Sequence, residues 1–258
     1  MQGFIEYFTA TSVFAAHQAG IQAIVPFLEV QTADGRWVRA IDDIGFPAGL
    51  ARTSVADLTG KLPAGTARIR IGTNLKIYWD QILIDTTPQT NAVELQEVPL
   101  LEASLRFLGY PRQIEGTPAS DLSYDYSQVS ATGPFTRHSG YYTAYGDVRA
   151  IVNAADDRFA ILGSGDEVAL EFDASALPPL RPGWTRDYFF YADGFAKDMD
   201  FYEALSDTVE PLPFHSMGQY PYGAATRYPT GPLHLDYRLN FNTRYVSGAE
   251  NRSFRFRY

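Results

Sequence analysis

The chain nowhere keeps a helical hydrophobic period for long. Its apolar residues come in short runs, many of them alternating with polar residues, and most runs stop at Gly, Pro, Asn or Asp. Buried backbone N–H and C=O groups must be paired, and short segments without a helical stripe can pair only with one another, as strands. The pattern therefore predicts an all-β fold. The plainest hairpin is PFLEVQTADGRWVRA, two runs around the turn dipeptide Asp34-Gly35. TARIRIG alternates Ile69 and Ile71 with Arg68 and Arg70, one face dry and one wet. LKIYWDQILID, ASLRFLGYP, RFAILG, EVALEFD and RDYFFYAD read as further strands, with Trp37 and Trp79 packed in the core. Two short helices are expected, one within Val13 to Val25 and interrupted by Gly20, and one at Asp200 to Val209.

A length of 258 residues suits one large all-β unit or two lobes. The 45% hydrophobic content, with 17 Phe and 17 Tyr, supplies a sizeable core. An internal echo favours two lobes. Asp57, Thr59, Leu62, Pro63 and Gly65 are answered by Asp173, Ser175, Leu177, Pro178 and Gly183, each set leading into an aromatic strand that ends in Asp. The expected organisation is a β-sandwich or jelly-roll-like lobe over residues 1–95 and a second over 96–258, with long loops rich in Pro and Tyr. Pro111 to Tyr145 reads as a long connecting loop, and the segment from Glu210 as a tail wrapping a lobe. RSFRFRY, alternating Phe254, Phe256 and Tyr258 with Arg255 and Arg257, reads as a last strand on a sheet edge.

The net charge is −9 and no basic stripe is present, which argues against nucleic acid as a partner. The basic residues are 18 Arg and 3 Lys, so bidentate pairing with carboxylates is expected, although genomic base composition accounts for the bias equally well. Without cysteine, the chain has no disulfide, thiolate metal site or cysteine nucleophile. No run of about 18 apolar residues is present, so no membrane insertion by a helix is expected. The opening MQGFIEYFTATSVFAAHQAG carries Glu6 and no basic region, unlike a signal peptide. Either the protein is cytoplasmic or a leader precedes the given sequence.

Chemistry is concentrated in a few places. YFFYADGFAKDMD brings Asp193, Asp198 and Asp200 around Gly194, a candidate calcium loop. The spacing departs from the EF-hand, because the glycine follows the first aspartate, and a solvated strand end with an Asp-capped turn is the alternative. Asp42 with Asp43, and Asp156 with Asp157, read as turns in the same way. Of the histidines His17, His138, His215 and His234, none stands at metal-ligand spacing from another. His215, in PFHSMG, is the candidate general base if a carboxylate lies beside it. Trp184, Tyr220 and Tyr222 are the candidate contact aromatics, for sugars or protein partners, and the two tyrosines are expected to be exposed. Nucleophile elbows, P-loops and dinucleotide fingerprints are absent, and GSGDE is not read as one because no helix follows it.

The stretch GRWVRAIDDIGFPAGLARTSVADLTGKLPAGTARIRIGTNLKIYWDQILID, continued by GYYTAYGDV, GDEVALEFDASALPPLRPGWTRDYFFYADGFAKDMD and VEPLPFHSMGQYPY, resembles a segment of large bacterial proteins. Those proteins carry FG-GAP (VCBS) repeats, ASPIC/UnbV domains and often tetratricopeptide repeats. The resemblance spans roughly Trp37 to Tyr245. It implies an extracytoplasmic location and a role in binding or assembly, but no reaction. The acidic repeats and tetratricopeptide helices of those modules are missing, so their functions are not transferred. The expectation is a non-catalytic binding or assembly module, without a required cofactor apart from the calcium candidate. Its contacts would be Trp184, His215, Tyr220, Tyr222, Phe254, Phe256 and Tyr258, and its partner another protein, a second copy or a surface glycan. The alternative is a carbohydrate-active or other hydrolytic enzyme using Asp193 and Asp198 with His215.

Overall fold

The computed structural model describes residues 1–5, 10–47, 49–88, 93–116, 123–133, 136–197, 205 and 207–247. These form two units, one from the described residues up to 88 and the other from those from 93 onward. The fold is all-β. Every named strand pair is antiparallel, in several small sheets.

The first unit contains β1 (Gln2–Ile5), α1 (Ala10–Gln18), β2 (Phe27–Gln31), β3 (Trp37–Ile41), β4 (Gly49–Thr53), β5 (Ile69–Gly72) and β6 (Ile77–Gln81). The helix ends where the sequence predicts. Gly20 takes a left-handed φ of 70°, its N–H reaching the His17 carbonyl and the Ile21 N–H the Ala16 carbonyl, so that orphan carbonyls of the last turn are satisfied. The predicted hairpin joins β2 to β3 through Thr32–Arg36, with Gly35 at φ 84°. Sheet order is β3-β2-β5 and, separately, β4-β1-β6. Alternation then sorts the side chains. Leu28 and Val30 of β2 are buried with Ile44, against Ile69 and Ile71 of β5. Glu29, between them, pairs with Arg70 directly across on β5. Trp37 and Trp79 are only half-buried.

The second unit contains β7 (Leu100–Phe107), β8 (Tyr110–Ile114), β9 (Ser123–Ser130), β10 (Gly140–Tyr142), β11 (Gly146–Asp147), α2 (Arg149–Val152), β12 (Asp166–Phe172), α3 (Pro232–Asn240) and β13 (Arg244–Val246), with a single 3-10 turn at Ala174–Ala176. Its sheets run β11-β7-β12, β8-β9 and β10-β13. Ala103 and Leu105 of β7, Val148, Ile151 of α2 and Tyr237 of α3 form one core. Tyr142, Val209, Leu212 and Val246 form another. An ion network fastens these parts. Asp166 has a fully buried side chain and accepts from Arg244 Nη2 at 2.6 Å, Tyr145 Oη at 2.8 Å and the Gly163 N–H at 2.8 Å, with Arg137 Nη2 at 3.5 Å.

Several sequence expectations are corrected here. Pro111 to Tyr145 is not one loop, since it holds most of the β8–β9 hairpin and all of β10. Its polar residues hid a period of two, with Tyr124 and Tyr126 on one face of β9. The segment after Glu210 includes α3, begun by Gly231 with Pro232 in the first helical turn, where a missing N–H costs nothing. Conversely, RFAILG and RDYFFYAD form no strand, because no neighbouring strand pairs with them among the described residues. The helix expected at Asp200 to Val209 falls mainly outside the described residues.

The internal echo is real as turn chemistry. Asp57 Oδ1 accepts from the Thr59 N–H at 2.9 Å, and Asp173 Oδ1 from the Ser175 N–H at 2.9 Å. Each is followed by a reverse turn, Pro63 to Thr66 and Arg181 to Trp184, with Gly65 at φ 78° and Gly183 at φ 82° in the third position. The correspondence ends there. The first turn delivers the chain into β5, which pairs with β2, whereas the second delivers it into an unpaired run.

Candidate functional site

That unpaired run forms one wall of a large cleft within the second unit. From Trp184 to Lys197 the backbone has no bend, turn or ladder. Tyr188, Phe189, Phe190 and Tyr191 are all exposed, Phe189 at 90%. The edge strand β12, with β7 on one side only, also lines it. Its Val168, Leu170 and Phe172 line the cleft, Val168 and Leu170 resting on the core beneath. Phe172 and Phe190 approach edge to face at 6.3 Å between centroids. The cleft as a whole encloses about 1600 Å3. Aromatic and aliphatic side chains dominate both sides, so the cleft suits an extended, partly apolar ligand.

His215 does not line the cleft but is joined to two of its lining residues, Asp193 and Phe159. Its backbone N–H donates to Asp157 Oδ1 at 2.7 Å, and its Nδ1 lies 2.8 Å from the same oxygen. Its Nε2 lies 3.3 Å from Asp193 Oδ1, at the end of the aromatic run. Phe159 stacks on the imidazole, the planes 11° apart. The Asp157 and Asp193 hydrogen bonds raise the His215 pKa above its ordinary value, favouring imidazolium. Burial pushes the Asp157 carboxyl up, but the backbone and ring donors of His215 outweigh it and the pKa is lowered. The imidazole thus clips the cleft wall at Asp193 to the loop after α2. With both ring nitrogens facing carboxylates, no neutral nitrogen is left pointing at a substrate, as a general base requires. Deeper in the cleft, Tyr142 donates to the His138 carbonyl at 2.9 Å, and burial pushes its hydroxyl pKa up to about 12.

The other candidates are placed as follows. Trp184 is half-buried with the Arg181 guanidinium over its ring at 5.1 Å, so one face is occupied. Tyr220 and Tyr222 are half-buried rather than exposed. Tyr220 packs on Phe195 and donates to the Pro211 carbonyl at 2.7 Å, and Tyr222 packs on Phe214. Of the calcium candidates, Asp193 faces His215, while Asp198 and Asp200 lie outside the described residues, as do Phe254, Phe256 and Tyr258. Among the described residues, no group of three or more His, Asp or Glu is arranged to hold a metal ion. Asp43 and Asp156 cap turns, as the sequence suggests, at the Gly45 and Arg158 N–H groups. Asp157 does not, and its pairing across 58 residues left only the Asp-Asp doublet as a trace in the sequence. Among the described residues no helix is long and apolar enough to cross a membrane. The chain matches no protein-family model, no curated protein and no solved structure.

Proposed function

We infer that the protein is a non-catalytic binding or assembly module whose second-unit cleft receives an extended polypeptide. The observation that carries this reading is the run Thr185 to Asp193. It is straight and aromatic, and no backbone hydrogen bond joins it to another strand among the described residues. In the same cleft lining, β12 also has an outer edge with no partner strand among the described residues. Two unpaired edges offer main-chain hydrogen bonds to an added strand, and the aromatic side chains supply contact area. A glycan is less well served, because Trp184, Tyr220 and Tyr222 already spend ring surface on internal neighbours. The hydrolytic alternative is weakened by the engagement of both His215 nitrogens. The extracytoplasmic assignment rests on the resemblance over Trp37 to Tyr245 alone.

Fluorescence anisotropy with labelled peptides of alternating aromatic and polar residues, and with labelled neutral oligosaccharides, tests the reading. Peptide binding is expected, weakened at least about tenfold by Leu170→Asp, which puts a charge on the apolar wall. Absence of peptide binding would overturn it. So would turnover of chromogenic ester or glycoside substrates that is lost in His215→Gln.

A further inference from the structure

The strand β12 is paired on one side only, and its two faces are unlike. Val168, Leu170 and Phe172 line the cleft from one face. By alternation, Glu167, Ala169 and Glu171 stand on the other. The register with β7 fixes what these carboxylates meet. Glu167 stands opposite Arg106 and pairs with it, Nε to Oε2 at 2.6 Å. Glu171 stands opposite Glu102, and both are exposed. Among the described residues no basic side chain pairs with either of them. Like charges directly opposite disfavour a ladder, and a cation beside them on the same face relieves both.

The open side of β12 can receive that cation. Among the described residues no main-chain hydrogen bond joins Glu167 to Phe172 to any segment other than β7. Alternate N–H and C=O groups of such an edge point outward and accept a further strand about 4.8 Å away. Cross-strand neighbours share a face. One set of the added side chains therefore enters the cleft beside Val168, Leu170 and Phe172. The other set lies beside Glu167, Ala169 and Glu171. Aromatic or aliphatic residues suit the first set, because the cleft lining there is apolar. Arginine or lysine suits the second, beside Glu171. The net charge of −9 adds a general attraction for a basic segment.

We propose that β12 takes as its next strand an extended segment of a separate polypeptide, alternating aromatic or aliphatic residues with arginine or lysine. The proposal rests on the reading of the cleft as a polypeptide site and specifies the sequence character that it selects. Fluorescence anisotropy of three labelled hexapeptides against the full chain tests it. SFRFRY, the sequence of residues 253–258, has the required alternation. SFEFEY reverses its charge, and SRRFFY keeps its composition without the alternation. SFRFRY is expected to bind about threefold to tenfold more tightly than either. Glu171→Lys weakens SFRFRY and strengthens SFEFEY. This variant sets Lys opposite Glu102, so its melting temperature holds.

Equal affinity for SFRFRY and SFEFEY, or affinities that Glu171→Lys leaves unchanged, would overturn the proposal and leave the polypeptide reading standing. Equal binding of SRRFFY would do the same, because pairing along a strand requires the alternation. Absence of all peptide binding would overturn both. Changing Arg255 and Arg257 to Glu together in the full chain tests the chain's own residues 253–258 as competitor. Affinity for SFRFRY raised at least about tenfold by that change would remove the separate polypeptide as occupant.

Discussion

Replacing Asp166 by alanine tests whether the second unit is held together by its buried ion network. The carboxylate is wholly buried and receives Arg244 Nη2 at 2.6 Å, the Tyr145 hydroxyl at 2.8 Å and the Gly163 N–H at 2.8 Å. Its removal strands the Arg244 guanidinium, whose side chain is only 17% exposed. Breaking a buried pair from one side costs about 3–5 kcal/mol, because the remaining charge loses its partner without regaining water. Arg244 keeps some company, since Nε still donates to the Thr143 carbonyl at 3.0 Å and the guanidinium sits over the Tyr145 ring at 4.2 Å. A loss of about 4 kcal/mol is therefore expected, equivalent to a fall of roughly 8–16 °C in melting temperature for a unit of this size. Asp34→Ala is the control. Its pair with Arg36 is open to solvent, so the change should cost far less than Asp166→Ala. Urea denaturation followed by circular dichroism measures both, and hydrogen exchange over β12 and β13 locates the effect. A loss below about 1 kcal/mol for Asp166→Ala, or a loss equal to that of Asp34→Ala, would refute the argument.

Two further outcomes follow from the geometry. Because the folded state raises the His215 pKa, its clip contributes stability that is fully present below the ordinary value of 6.5 and is lost as pH rises through the raised folded pKa. Melting temperature should therefore fall across that window in the wild type and stay level in His215→Gln, and an identical pH profile for the two would dismiss the clip. Gly109 has φ 99° and an added Cβ would lie 2.5 Å from the Ser130 carbonyl oxygen, so Gly109→Ala should destabilise the β8–β9 hairpin by about 1–3 kcal/mol. Unchanged hydrogen exchange at residues 123–130 in that variant would show that the backbone moves aside freely.

What the sequence determined by itself was chemistry acting over a few residues. The end of α1 at Gly20, the Asp34-Gly35 hairpin and the two Asp-capped turns at Asp57 and Asp173 each follow from a side chain or a φ angle within one turn. The alternation of β2 and β5, and with it the all-β class, was equally legible, because period-two burial is written along the strand. The tertiary structure decided everything that depends on a distant partner. RDYFFYAD has all the strand propensity of TARIRIG, yet only the second is a strand, since a strand exists through the neighbour that accepts its hydrogen bonds. The same holds for α3, whose one buried residue, Tyr237, lies in a core with Leu105 and Ile151. It holds also for the cleft, where His215 meets Asp157 across 58 residues and Asp193 across 22. Local propensity is a property of the segment, while pairing is a property of two segments, and beyond a tight hairpin such as the one at Asp34-Gly35 no stretch of this sequence names its partner.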